Sequence, residues 1–144
     1  MKFEVGSILL VRKFKLPSAD KDKFFIVIGE SNNTVSLLAM TTSQAYFDES
    51  LIKQGDIIDR DVTAYCFEAH EAIGINGFAF NKNTFLYHKR SIHTFSIEVM
   101  DTLNIEYMDC LKKEEIINLI YSFYKRTPAK YMTMFEKILS ELSN

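Results

Sequence analysis

Tryptophan is absent, and the 144 residues include only two cysteines, two prolines and five glycines. So little Gly and Pro excludes collagen-like repeats and low-complexity linkers. Cys66 and Cys110 stand far apart without Cys-x-x-Cys spacing, so neither a metal site nor a redox motif is expected. No sign of charge dominates: 17 Lys and Arg face 19 Asp and Glu, for a formal net charge of -2. A field broad enough to draw nucleic acid or an anionic membrane is therefore excluded, and any phosphate site must be a local basic patch. Long apolar runs are missing too. "FFIVI" is far too short to span a bilayer. "MKFEVGSILL" puts an acid ahead of a short apolar run with no small-residue cleavage pattern. These features lead us to expect a cytoplasmic chain with reduced thiols and no membrane partner. What is present is apolar: 47% of the residues, with 12 Phe and 7 Tyr. That suffices for one core, so 1–144 is expected to be a single domain.

The first half reads as strands. "GSILLVRKF" (6–14) is apolar at both parities, which implies burial on both faces or tight curling. "LPSADKDK" (16–23) is a polar loop, "FFIVIG" (24–29) a β-branched and aromatic strand, "ESNNT" (30–34) a turn, and "VSLLAMTT" (35–42) the returning strand. Residues 44–63 show no sustained period and read as a long acidic excursion with a helical turn. "AYCFEA" (64–69), "GFAF" (77–80), "TFLYH" (84–88) and "HTFSIEV" (93–99) read as further strands. Near residue 110 the period changes. Ile116, Ile120, Phe123 and Tyr124 form one helical stripe, and Tyr131, Phe135, Ile138, Leu139 and Leu142 form another. Thr127-Pro128 separates them, with Thr as N-cap of the second helix. The expected fold is α+β: a strongly curled antiparallel sheet or small barrel over about 5–99, then helices over about 112–126 and 128–142.

Two places carry candidate chemistry. Lys23, beside Asp22, opens one strand, and Thr41-Thr42-Ser43 closes the next. In a meander these ends can meet, so a cation and hydroxyls can converge on one anion. The plain alternatives are a solvated loop pair and hydroxyls that satisfy strand-end backbone groups. "YHKRSIH" (87–93) is the most basic stretch. On a strand His88 and Arg90 share a face, and His93 follows. It is either a phosphate or acid/base patch or an edge strand protected by charge. Most aromatics belong to the core; Tyr46, Tyr65 and Tyr87 are candidate base-stacking residues. Neither an HxH nor an HExxH pattern exists, so no metal is expected.

"VGSILLV", "KDKFFIVIG" and "SLLAMTTS", followed by "FNKNTFLYHKRSI" and "LKKEEIINLIYSF", resemble in order the segments of the MazF/PemK/Kid-like toxin family. The resemblance covers roughly residues 5–126. It implies an SH3-like curled barrel and a metal-independent endoribonuclease that cleaves single-stranded RNA, works as a homodimer and is held by an antitoxin protein, with no cofactor. The family's strand-opening Arg falls on Lys23 and its Pro on Phe24. Its Thr-Ser pair falls on Thr41 and Thr42, and Ala39 stands where it has Pro. Gly6 keeps its place, and Ser7 replaces an Asp. The expected site is therefore Lys23, Thr41 and Thr42 for catalysis, with Arg12, His88, Arg90 and His93 on phosphate. Lys is a point charge where Arg offers a planar fork, so weak or lost activity is expected. The alternative is a non-catalytic SH3-like module that binds a protein partner, with the 44–63 excursion as its docking segment.

Overall fold

The structure, a computed structural model, describes residues 3–31 and 35–143. Of the turn expected at 30–34, residues 32–34 lie outside the described residues. Strands β1 (Ser7–Lys15), β2 (Asp20–Ser31) and β3 (Val35–Met40) form the expected antiparallel meander. They lie in a five-stranded sheet of order β7-β3-β2-β1-β8, where β7 is Ile92–Ser96 and β8 is Asn104–Cys110. A second, three-stranded sheet has the order β4-β5-β6, with β4 Gly55–Asp59, β5 Val62–Phe67 and β6 Thr84–Tyr87. Helices α1 (Ile97–Thr102), α2 (Lys113–Arg126) and α3 (Met132–Ser143) complete the described chain.

The class is α+β, as expected, but the barrel is not there. The strands make two antiparallel sheets, neither closed nor strongly curled. The both-parity apolar pattern that suggested curling has another cause: the large sheet is covered on both faces. Ile8, Ile26 and Ile28 enter a core shared with Tyr65, Phe67 and Leu86 of the small sheet and with α2 and α3. The alternate residues Leu9, Val11, Phe25 and Val27 enter a second core closed by Met100 of α1.

The helical stripes face this core. Ile116, Leu119, Ile120 and Phe123 of α2 are buried, and Phe135 of α3 is fully buried. Thr127-Pro128 does separate the helices, with a 3₁₀ turn at Ala129–Tyr131 before α3. Thr127, however, closes α2 and does not open α3: its hydroxyl donates to the Phe123 carbonyl at 2.6 Å. "GFAF" is no strand but a loop. It is held by Asp109, a buried carboxylate that accepts from the Asn76, Phe78 and Cys110 N–H groups. Burial pulls its carboxyl pKa up, but these donors outweigh it and the net shift is downward. Asp109→Asn puts an amide donor against those N–H groups. It is expected to lower stability by about 1–3 kcal/mol, read from a urea transition with unchanged slope. Gly74 packs against the same carboxylate, leaving no room for a Cβ, so Gly74→Ala should act in the same direction.

Candidate functional site

The site begins where the chain passes from the large sheet to the small one. After Met40 the Thr41 N–H and hydroxyl both donate to the Phe24 carbonyl of β2, at 3.0 and 2.9 Å. The next residue, Thr42, exchanges backbone bonds with Phe85 of β6 at 3.0 and 2.8 Å. Two adjacent threonines thus stitch the two sheets together, and the space beside that stitch is an open cleft of about 280 Å³. Asp22, Lys23, Phe24 and Thr41–Ser43 form one side; Phe80, Asn81, Lys82 and Thr84 form the other. Edge-on contacts of Phe24 with Phe80 (5.3 Å) and with Phe78 (5.7 Å) stiffen the apolar wall.

Several donors remain available there. Lys23 is half-buried and has no ion pair among the described residues; burial, then the neighbouring Lys21 charge, lowers its ammonium pKa. An anion in the cleft would relieve both effects. Lys82 brings a second ammonium. Thr42 accepts from the Gln44 N–H at 3.2 Å and keeps its own proton to donate, whereas the Thr41 proton is spent on Phe24. Asp22 is turned away: one carboxylate oxygen accepts from the Lys13 N–H at 2.9 Å, and the other lies 3.5 Å from Arg12. The two threonines should separate by mutation. Thr41→Val is expected to cost about 1 kcal/mol of stability through the lost bond. Thr42→Val is expected to leave the melting temperature nearly unchanged and to weaken anion binding several-fold, measured by titration.

The structure brings Lys23, Thr41 and Thr42 to one cleft and places the other four candidates elsewhere. Arg12 is held by Glu106 at 2.7 Å, on the far side of Asp22. Arg90 lines a separate hollow with Tyr46. His93 sits half-buried in the second core, stacked on Phe95, and burial lowers its pKa. His88 is 1% exposed and does not line the cleft. Its Nδ1 faces the Thr63 hydroxyl at 3.1 Å and its Nε2 the Ser122 hydroxyl at 2.7 Å. Ser122 in turn donates to Asp56, which pairs with Arg126 at 3.1 Å and Lys125 at 3.3 Å. This Asp-Ser-His chain has the serine in the middle. Its proton is committed to Asp56, so Nε2 carries the donor hydrogen and cannot act as the serine's base. Burial first, then Arg126, pushes the His88 pKa down to about 4, and the group is a neutral structural imidazole. Of the three candidate stacking tyrosines, Tyr65 and Tyr87 are buried, and only Tyr46 is open.

Lys82, Asn81 and Phe80 complete the cleft and were missed. In sequence "NKN" (81–83) reads as a turn, where a lysine looks merely solvated, and Phe80 reads as the end of the strand "GFAF". Among the described residues that line the cleft the one carboxylate is that of Asp22, which is turned onto the Lys13 N–H and Arg12, so the lining is better equipped to hold an anion than to cleave an ester. Among the described residues no group of three or more His, Cys, Asp or Glu is placed to hold a metal ion, and no helix is long and apolar enough to cross a membrane. No protein-family model matches the chain, and neither does any curated protein or solved structure.

Proposed function

We propose that the cleft binds a phosphate of single-stranded RNA, and that the chain is a divergent relative of the MazF/PemK/Kid-like toxins with slow or lost metal-independent cleavage. One observation carries this reading: two ammonium groups, with no ion pair among the described residues, and the Thr42 hydroxyl gather beside an aromatic wall at the junction of the sheets. Ammonium and hydroxyl donors suit phosphate oxygens, and aromatic edges suit the attached sugar and base. Cleavage by 2′-hydroxyl attack needs a proton acceptor, a cation on the phosphorane and an acid for the 5′-oxygen. Lys23 supplies the middle function without the two-pronged contact of Arg. With this reading go the antitoxin partner, the homodimer and the cytoplasmic setting that the resemblance implies.

A second reading has its own support. Tyr46, Leu51 and Ile58 are exposed along 44–63, and β4 is an outer strand of the small sheet. This favours a protein-binding module. Titrating a fluorescent single-stranded oligoribonucleotide in EDTA, with cleavage followed on a gel, separates the two. RNA binding that weakens with salt and with Lys23→Ala supports the first. No binding at low salt defeats it.

A further inference from the structure

The hollow beside Arg90 is joined to the cleft by the segment that leaves the sheet-to-sheet stitch, residues 43–46. We infer that this hollow is a second nucleotide subsite, which stacks a base on the Tyr46 ring and takes a phosphate on Arg90. An RNA strand anchored at Lys23 then continues past Ser43 and Gln44 into it. The inference rests on the RNA reading above.

The geometry of Tyr46 is what a stacking platform requires. Tyr46 is 50% exposed, yet two hydrogen bonds hold it and a third fixes its segment. Its N–H donates to the Tyr87 hydroxyl at 2.9 Å, and its own hydroxyl donates to the Gln44 side-chain oxygen at 3.0 Å. The Tyr87 hydroxyl donates to the Gln44 carbonyl at 2.6 Å, which fixes the segment itself. A large aromatic side chain that is exposed and already immobilised loses little entropy when a flat ring lies on it. The Arg90 guanidinium rests over this ring at 5.8 Å from its centre and has no carboxylate partner among the described residues. A base settling on that face exchanges the cation–ring contact for a stack and frees the guanidinium for the adjoining phosphate. Lys89 lines the same hollow, with its ammonium 3.5 Å from the Asp61 carbonyl, and adds a second positive charge near the strand.

The test compares a dinucleotide with a hexauridylate, each read by anisotropy, and uses hexamers carrying 2-aminopurine at successive positions. Tyr46→Ala should weaken the hexamer on the order of tenfold and leave the dinucleotide unchanged. It should also abolish the quenching seen at one 2-aminopurine position, and Tyr46→Phe should restore it. Arg90→Ala should reduce the salt slope for the hexamer by about 0.7, the share of one single-strand phosphate contact. If both alanine variants bind both lengths like the wild type while Lys23→Ala loses both, the subsite is wrong and the cleft reading stands. If Lys23→Ala also binds like the wild type, the cleft reading falls and the subsite falls with it.

Discussion

Lys23→Ala should weaken single-stranded RNA binding ten- to a hundredfold at low salt, while Lys21→Ala changes it little. The two lysines are two residues apart on one strand, so any general loss of charge affects them alike. What separates them is surroundings. Lys23 lines the cleft between the sheets and is partly desolvated there. A charge-assisted bond in such a place is worth about 1.5–3 kcal/mol, which sets the range of the loss. Lys21 is exposed, where screening leaves a single charge with little to contribute. Lys82→Ala should fall between them, because it faces the same space from the opposite wall. The revealing substitution is Lys23→Arg. A guanidinium can make two parallel contacts to a phosphorane, so cleavage in EDTA should rise above that of the wild type. A binding module shows no cleavage with either residue, and that result ends the nuclease interpretation. Wild-type cleavage that persists undiminished in Lys23→Ala places the essential cation elsewhere.

How much of this was legible follows from which signals are local. The meeting of Lys23 with Thr41 and Thr42 could be read because a short meander forces one strand's start beside its neighbour's end. The C-terminal helices could be read because a 3.6-residue stripe is intrinsic to the segment. Closure of a sheet is not intrinsic, since apolar residues at both parities fit a curled barrel and a flat sheet covered on two sides equally well. Strand β4 escaped notice because Asp56 and Asp59 break its apolar pattern and its turn to β5 has Arg60 at φ 57, where a Gly or Asn would have marked it. Strand β8 escaped because a register shift opposite Ile8 and Leu9 interrupts its alternation. The pairing of His88 with Arg90 failed for a definite reason. Parity holds only within a strand, and β6 stops at Tyr87, whose carbonyl accepts from the Arg90 and Ser91 N–H groups in a turn. Neither the partner of His88, Ser122, nor that of Ser122, Asp56, lies near it in sequence.

That buried chain is where the largest loss of stability is expected. Asp56→Ala should cost about 3 kcal/mol, because it leaves a partly buried Arg126 guanidinium without its partner and removes the acceptor of Ser122. Acid should attack the same place. His88 titrates near 6.5 when unfolded and near 4 when folded, so its contribution is complete above pH 6.5 and is lost as pH falls towards 4. The whole interval amounts to about 3 kcal/mol. Asp56 acts in the same direction. Burial raises its pKa, but the Ser122 bond and the Arg126 and Lys125 charges outweigh that and leave it lowered, so its stabilising charge is also lost in acid. Glu115, on the same helix, opposes them: burial raises its pKa, and protonation there favours the fold. The net expectation is a urea midpoint that drops steadily between pH 6.5 and 4. His88→Asn should start lower, because it vacates a buried ring site, but its midpoint should fall far less over that interval. Equal slopes for variant and wild type would show that the proton responsible binds somewhere other than His88. A midpoint that stays flat across the interval even in Glu115→Gln, where the opposing carboxyl is gone, would mean that the imidazole reaches water in the folded protein, and that the Thr63–His88–Ser122–Asp56 chain does not hold α2 against the small sheet.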